Sequence, residues 1–224
     1  MNKITVILAE DHTIVREGLR ALLKLEDNIE VIAEAEDGRK TVELTRQLRP
    51  DVVVMDIAMP LMNGVEATRQ ILHEMPETKV LILSAHSDDA YVEQVMALGA
   101  MGYLIKQSAS HVLPEAIRKV QAGKKCFSPV VSRRLSYHRN RARERGELPG
   151  KMGHPALTSR ETEVLQLIAE GKANKETAEV LHISVKTVEK HRYNVTKKLG
   201  MNNLLDLVKY AIKIGIIDPE LWED

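Results

Sequence analysis

The stretch DVVVMDIAMP, residues 51–60, decides the fold of the first half of the chain. The four apolar residues 52–55 suffice for one strand and are too few for a helix. Because no polar face alternates with them, they predict a strand buried on both faces of a parallel sheet. Asp56 follows at once, and the Asn63-Gly64 pair indicates a loop before the next helix. Asp56 is therefore predicted at the carboxyl end of a central strand, where open α/β sheets bind ligands. The alternative is that Asp56 only caps the following helix.

Apolar runs alternate with helical patterns on both sides of this stretch. Further strands are predicted at residues 4–9, 29–35, 79–83 and 102–105, and each is followed by a helical pattern. Five strands alternating with five helices predict an α/β domain with a doubly wound, parallel, five-stranded sheet.

Polar residues stand at the ends of these predicted strands, and all fall at the same edge of the sheet. They are Glu10, Asp11, Asp56, Ser84 and Lys106. Three converging carboxylates would repel one another unless a cation neutralised them, and oxygen ligands of this kind suit Mg²⁺. Lys106 and the hydroxyl group of Ser84 would complete a binding site for a phosphoryl group, with Asp56 as the nucleophile. The alternative is a solvated rim of capping residues and a surface lysine.

Composition and charge limit the possible classes of protein. The length of 224 residues and the 44% apolar content are typical of one or two soluble globular domains. Residues 1–124 carry 14 basic and 19 acidic side chains, whereas residues 125–224 carry 18 and 13. An acidic half joined to a basic half is typical of a sensor joined to a nucleic-acid binder. The single Cys126 excludes an internal disulfide. No apolar stretch approaches the roughly 18 residues that span a bilayer, so we expect no membrane association and a cytoplasmic location.

Residues 125–153 differ in character from both halves. They contain eight basic and two acidic residues, and their apolar periodicity fades after Leu135. This composition predicts a basic linker that begins with a short helix around residues 129–137. Its arginines could contact DNA phosphates, or the segment could be a solvated spacer or rest on the acidic first half.

The last part of the chain has a helical pattern throughout. The stretch LTSRETEVLQLIAEG, residues 157–171, opens with a capping box formed by Thr158 and Glu161. Two more helices are predicted at residues 174–182 and 184–200, and the short turn between them makes a helix-turn-helix.

The third of these helices carries basic residues along one side. Residues 184–200 hold five basic residues and one acid. Such a face fits the major groove of DNA, with lysines toward phosphates and other side chains reaching base edges. His191 is assigned a backbone or phosphate contact because no second metal ligand lies at suitable spacing. The alternative is a solvated, lysine-rich face. The predicted DNA-contacting residues are Ser184, Lys186, Thr187, Lys190, His191, Tyr193, Asn194 and Lys197.

Residues 1–124 resemble a response-regulator receiver domain. The resemblance rests on Glu10-Asp11, on DIAMP at residues 56–60 with Asn63-Gly64 following, on Ser84-Ala85 and on Lys106. It implies that Asp56 accepts a phosphoryl group from a sensor histidine kinase, and that Ser84 and Lys106 bind the phosphoryl oxygens. It further implies an Mg²⁺ site made by Glu10, Asp11, Asp56 and the Ala58 carbonyl group.

The same resemblance makes Tyr103 the switch aromatic that turns inward when Ser84 moves. The alternative for Tyr103 is a half-buried aromatic residue of a strand. The face formed by the fourth helix, the fifth strand and the fifth helix is the expected regulatory surface.

Residues 154–224 contain a stretch, about residues 154–219, that resembles the LuxR-type helix-turn-helix domain. The matching segments are LTSRETEVLQLIAEG, NKETAEVLHIS and VKTVEKHRYNVTKKLG. The resemblance implies that the last helix, residues 203–213, serves dimerisation, although its apolar residues could instead form only the core of the module. Together the two halves resemble a NarL/FixJ-type response regulator, divided into a receiver domain at 1–124, a linker at 125–153 and an all-α DNA-binding domain at 154–224.

This resemblance implies a two-component transcription regulator that is not an enzyme. Phosphorylation would promote a homodimer that binds double-stranded promoter DNA. One alternative is an Mg²⁺-dependent phosphatase, but Ile57, Ala58 and Met59 offer no second acid close after the nucleophile. The other is a DNA-binding protein whose first half serves only as an interaction platform.

Overall fold

The computed structural model describes residues 3–85, 89–133, 157–214 and 216–217. The described part of its first half contains six strands, five helices and a further helical segment at residues 129–133. The strands are β1 (Ile4–Ala9), β2 (Ile29–Ala35), β3 (Val52–Met55), β4 (Lys79–Ser84), β5 (Gly102–Ile105) and β6 (Cys126–Phe127). The helices are α1 (Thr13–Lys24), α2 (Gly38–Leu48), α3 (Gly64–Glu74), α4 (Asp89–Leu98) and α5 (Lys106–Gln121). Within the described ranges, no helix is both long enough and apolar enough to cross a bilayer.

The strands form one parallel sheet in the order β2-β1-β3-β4-β5-β6. All four residues of β3 are buried. Val53 belongs to a hydrophobic cluster on one face of the sheet, and Val54 belongs to a second cluster on the other face. The prediction of a doubly wound parallel sheet with β3 at its centre is confirmed.

The sheet has one strand more than the five predicted. β6 pairs with β5, so that Tyr103 lies beside Phe127, and the N–H group of Ser128 donates to the carbonyl oxygen of Tyr103 at 3.0 Å. This approach depends on Gly102, where a Cβ atom would lie 2.5 Å from the carbonyl oxygen of Cys126. A two-residue strand has too few residues for any periodicity, which is why the sequence pattern did not indicate it.

Residues 129–133 continue from β6 as a helical segment. Val131 from this segment is fully buried in the hydrophobic cluster that contains Tyr103 and Val95. The start of the predicted linker therefore packs against the receiver half, on the side of β5 that faces α4. The predicted regulatory surface of α4, β5 and α5 is thus partly covered by the chain itself. The rest of the predicted 129–137 helix and the Arg-rich stretch lie outside the described residues.

The described part of the second half, residues 157–214 and 216–217, has helices as its regular structure, as predicted. Its helices are α6 (Ser159–Ala169), α7 (Asn174–Leu181), α8 (Val185–Leu199) and α9 (Leu204–Lys213). The capping box at the start of α6 is present: the N–H of Glu161 donates to Oγ1 of Thr158, and Oε2 of Glu161 accepts from the N–H of Thr158. The turn between α7 and α8 passes through His182, whose φ of 51° is left-handed and ends α7. The predicted helix-turn-helix is confirmed.

Candidate functional site

Three charged side chains meet at the carboxyl edge of the sheet. The Nζ atom of Lys106 lies 2.8 Å from Oδ2 of Asp56 and 2.8 Å from Oε2 of Glu10. Asp56 is 3% exposed and Glu10 is 1% exposed, so little water separates these charges. Parallel strands end at the same edge, and the three residues follow β3, β5 and β1 directly. The structure thus brings together three of the residues that the sequence placed at strand ends.

The burial of this cluster changes the proton affinity of its members. Burial raises the pKa of Asp56 to about 7; the attraction of Lys106 opposes this rise and the proximity of Glu10 adds to it. Burial lowers the pKa of Lys106, but the attraction and hydrogen bonds of Asp56 and Glu10 outweigh burial and raise it above its usual value. Lys106 is therefore a permanent cation beside a carboxylate that ionises near neutral pH.

Asp11 and His12 complete an acidic cluster beside Asp56. One ligand atom from each of Glu10, Asp11, His12 and Asp56 lies within 4.8 Å of the others. Three carboxylates at this spacing fit a hard divalent cation such as Mg²⁺. Nδ1 of His12 lies 2.9 Å from Oδ1 of Asp11; burial lowers the pKa of His12, whereas the attraction of Asp11 and Glu10 raises it, and the net change is upward.

Two residues that shape this cluster are not among the predicted site residues. One is His12, although its place directly after Glu10-Asp11 is a usable signal in the sequence. Arg16 donates from Nη1 to the carbonyl oxygens of Glu10, at 2.6 Å, and Asp11, at 3.3 Å, and so holds the turn between β1 and α1. No spacing rule indicates that role, because the two carbonyl oxygens that Arg16 bonds in this turn are backbone atoms.

The other predicted receiver residues lie in this region with different degrees of burial. Ser84 is the last residue of β4 and is 1% exposed. Tyr103 is fully buried rather than half-buried, and its role as the switch aromatic stays a prediction. Ala58 is partly buried in the segment that follows Asp56. Residues 57–63 are called the β3–α3 loop below.

The β3–α3 loop is packed tightly against its neighbours. The N–H group of Ile57 donates to Oδ1 of Asp56 at 2.7 Å, and the N–H of Gly64 donates to the carbonyl oxygen of Ile57 at 2.8 Å. A Cβ atom at Gly64 would lie 1.8 Å from the carbonyl oxygen of Asp56. Glycine is therefore required at position 64 for this loop conformation, which explains why the Asn63-Gly64 signal marked the loop. Asn63 then caps α3 by accepting a hydrogen bond from the N–H of Glu66.

Helix α8 presents its predicted basic stripe to solvent. Lys186, Lys190 and Lys197 are exposed, and Tyr193 is 64% exposed. The other two basic residues of α8 contact residues of their own domain: Arg192 donates a hydrogen bond to Asn174, and Lys198 forms an ion pair with Glu161. The net charge of the exposed face is therefore concentrated on the three stripe lysines.

The remaining predicted DNA-contacting residues differ in accessibility, and Ser184 is exposed. Ser184 is the N-cap of α8 and accepts from the N–H of Thr187 at 3.1 Å, so both residues have a structural role. Thr187, His191 and Asn194 are partly buried, at the edge of the exposed stripe.

The apolar residues of the last helix differ in their exposure. Leu207 and Ala211 are buried in the core of the helical domain, and Val208 and Ile212 pack against that core. Leu204 is 48% exposed, and its neighbour Leu205, which the sequence analysis did not single out, is 61% exposed. The exposed leucines at the start of α9 are therefore the available apolar surface.

The two halves also contact each other, through residues that the sequence analysis did not single out. Gln166 of α6 and Glu170, the C-cap residue of that helix, bond to the β3–α3 loop, and Arg39 of α2 donates to the carbonyl oxygen of Val180 at 2.6 Å. These are contacts across more than 100 residues of sequence, which single-sequence patterns do not encode.

An acidic strand-end site joined to a helix-turn-helix with an exposed basic stripe defines a regulator that couples an input domain to DNA binding. Comparison with known families agrees. Residues 6–118 match the response regulator receiver domain, and residues 155–211 match the bacterial regulatory proteins of the luxR family. The chain belongs to the two-component response regulators that combine a receiver domain with a LuxR-type DNA-binding domain, and the resemblance noted in the sequence is confirmed.

Relatives that span the whole chain support this assignment. The transcriptional regulatory protein LiaR of Bacillus subtilis (strain 168) is 43% identical over 216 residues, covering 96% of this chain and 100% of LiaR. The transcriptional regulatory protein DegU of Brevibacillus brevis is 39% identical over 224 residues, with 96% and 95% coverage. A solved structure of two RcsB dimers bound to two parallel DNAs is 30% identical, with a TM-score of 0.57 and coverage of 93% and 98%.

Proposed function

We propose that Asp56 is the phosphoacceptor of this response regulator and that its phosphorylation by a sensor histidine kinase controls dimerisation and promoter binding. The observation that carries the proposal is the position of Lys106, whose Nζ atom lies 2.8 Å from a buried carboxylate oxygen of Asp56. A fixed cation at this distance stabilises negative charge that develops on a transferring phosphoryl group.

The chemistry follows from the residues around Asp56. A carboxylate oxygen of Asp56 attacks phosphorus, the P–N bond of the kinase phosphohistidine breaks, and the imidazole nitrogen keeps the bonding pair. Glu10, Asp11, Asp56 and the Ala58 carbonyl group would hold Mg²⁺, which would supply charge neutralisation at the phosphoryl oxygens. Lys106 and Ser84 would bind those oxygens. Ile57, Ala58 and Met59 provide no general acid, so we propose no phosphatase activity.

Phosphorylation of both copies would favour a homodimer that places two α8 helices on DNA. Each recognition helix reads only a few base pairs, so pairing raises affinity through effective concentration. The exposed Leu204 and Leu205 supply an apolar surface for pairing through α9.

The phosphoacceptor assignment is tested by intact mass. Wild type and Asp56→Asn are incubated with acetyl phosphate, with and without Mg²⁺, and size exclusion is run on the same samples. We expect one phosphoryl group on wild type, only with Mg²⁺, and a shift toward dimer. If neither protein gains mass while a control receiver does, the first half serves as an interaction platform.

The DNA-reading face is tested by removing one stripe lysine. Lys190→Ala should weaken promoter binding at fixed salt and reduce the salt dependence by about one counterion. Lys213→Ala, which removes an exposed charge from α9, is the matched control. Equal affinities for the two variants would show that α8 does not use this face.

A further inference from the structure

Helix α8 carries one acidic residue, Glu189, among the basic residues of its exposed face. Glu189 is exposed, and it lies three residues after Lys186 and four residues before Tyr193. Residues at these spacings are neighbours on one side of a helix, so the carboxylate lies beside the stripe that is predicted to contact DNA. The buried side of α8 is formed by Val188 and Val195, which face the core of the domain. Glu189 therefore has no packing role in the helix.

Contacts within the domain do not account for the charge of Glu189. Other acids of the same domain form ion pairs: Glu161 lies 2.7 Å from Lys198, and Glu163 lies 2.6 Å from Arg160. Within the part of the chain that the structure describes, the Glu189 carboxylate has neither an ion-pair partner nor a side-chain hydrogen bond. No described residue therefore competes with DNA for this carboxylate.

An acidic side chain on a DNA-contacting face has an electrostatic cost. Phosphate groups line both edges of the major groove, and they attract Lys186 and Lys190 but repel Glu189. A carboxylate offsets this repulsion where it accepts a hydrogen bond from the edge of a base on the floor of the groove. The place of Glu189 suits that contact, because it begins the second turn of α8 after the N-cap Ser184, and the N-terminal residues of a recognition helix contact base edges.

The chemistry of the base edges selects one base for a carboxylate. Cytosine presents its N4 amino group, a donor, to the major groove. Thymine presents the O4 carbonyl oxygen instead, which repels a carboxylate, and adenine presents the N7 acceptor beside its N6 amino group. Cytosine is therefore the base that best matches Glu189.

We propose that Glu189 is a specificity-determining residue of the DNA-binding domain, whose carboxylate accepts a hydrogen bond from the N4 amino group of a cytosine in each half-site. The proposal rests on the proposed function, in which α8 contacts the major groove. The stripe lysines supply attraction to any DNA, whereas Glu189 supplies a preference for one base pair and lowers the affinity for sites that lack it.

The deciding variant is Glu189→Gln in the full-length protein. Glutamine keeps the size of the side chain and tolerates both pyrimidines, because its amide group can accept from cytosine N4 or donate to thymine O4. The matched control is Glu179→Gln, the same change at an exposed position of α7. Wild type and both variants, treated with acetyl phosphate and Mg²⁺, select from DNA duplexes with a randomised segment of roughly 20 base pairs, which accommodates two half-sites one helical turn apart.

Wild type and Glu179→Gln should each enrich a cytosine at one position of the half-site. On the enriched duplex, replacement of that cytosine by thymine should weaken binding of wild type roughly tenfold at fixed salt concentration and binding of Glu189→Gln by less than about twofold, since only wild type loses a base contact. Equal losses for the two proteins would overturn the proposal. A Glu189→Gln variant that binds all sequences more tightly with an unchanged base preference would also overturn it, because Glu189 would then be only a solvated charge.

The same experiment separates this proposal from the proposed function. A wild type that enriches no sequence overturns both the reading of DNA by α8 and the role of Glu189. If wild type enriches a sequence, and Lys190→Ala binds it more weakly than Lys213→Ala does, the DNA-reading face of α8 stands. The loss of affinity on the thymine duplex then decides the role of Glu189 by itself.

Discussion

Burial of the Asp56 carboxylate makes the stability of the metal-free protein depend on pH. Burial raises the pKa of Asp56 from 3.8 to about 7, and this shift corresponds to roughly 4 kcal/mol of unfavourable free energy for the ionised form. The substitution Asp56→Asn removes the ionisable group and keeps the size of the side chain. The difference in unfolding free energy between Asp56→Asn and wild type therefore measures the cost of ionising the buried Asp56 carboxylate.

The sign of the effect follows from proton binding. Between about pH 4 and pH 7 the folded protein binds more protons at Asp56 than the unfolded chain does, so the contribution of this group to stability falls as pH rises. The loss is complete above about pH 7. Asp56→Asn should thus equal wild type near pH 4 and exceed it by up to about 4 kcal/mol at pH 8.

The assay is urea unfolding at several pH values with a metal chelator present, followed by circular dichroism. Asp27→Asn, the same change at an exposed carboxylate of the receiver half, is the control and should show little difference from wild type at any pH. The reasoning would be refuted if the difference between Asp56→Asn and wild type were the same at pH 5 and pH 8. Saturating Mg²⁺ should raise the stability of wild type and so reduce the difference in unfolding free energy between Asp56→Asn and wild type.

Three further substitutions test other parts of the structure. Gly64→Ala should prevent the present loop conformation, because its Cβ atom would lie 1.8 Å from the carbonyl oxygen of Asp56, and we expect a lower melting temperature and impaired phosphorylation by intact mass. Val131→Ala should destabilise the receiver half by roughly 2 kcal/mol in urea unfolding, since the deleted methyl groups pack in the cluster with Tyr103; no change would show that the segment after β6 is not part of the core. Burial raises the pKa of Glu170 despite its hydrogen bonds to Gln166 and Leu61. The contribution of Glu170 to the contact with the β3–α3 loop is therefore full at low pH and lost as pH rises through the raised pKa. The protection of amides 57–64, corrected for the intrinsic pH dependence of exchange, should fall with rising pH in wild type and change less in Glu170→Gln.

The parts of the fold that the sequence predicted are those determined by local pattern. The run at residues 52–55 has no polar face because both of its faces are covered, and the capping box at Thr158 satisfies backbone groups within one turn. The position of Lys106 was predictable for a related reason: parallel topology carries the end of every strand to one edge, so residues distant in sequence meet there. Local signals together with topology were sufficient for the acidic site.

The missed features depend on contacts between distant segments. β6 has two residues, and it is a strand because Gly102 permits close approach, not because Cys126 and Phe127 have a strand pattern. Gln166 lies within a helical pattern that any polar residue would fit, yet it is nearly fully buried because it bonds to a loop more than 100 residues away. Burial of a polar side chain on an otherwise apolar helix becomes informative only once its partners are known.

The exposure of the α8 stripe constrains how phosphorylation can act on DNA binding. In the docked arrangement the stripe lysines already face solvent, so release of α6 from the β3–α3 loop does not uncover new DNA-contacting surface. A gain in promoter affinity must therefore come from the number of recognition helices that act together. Leu204 and Leu205 are exposed in the same arrangement and are available for pairing of two copies, and two linked recognition helices would bind far more tightly than one without any new contact per helix. On this reasoning phosphorylation should raise affinity for a two-half-site promoter strongly and affinity for a single half-site little. Equal gains on both DNAs, measured at the same salt concentration, would show instead that phosphorylation alters the DNA-reading face itself.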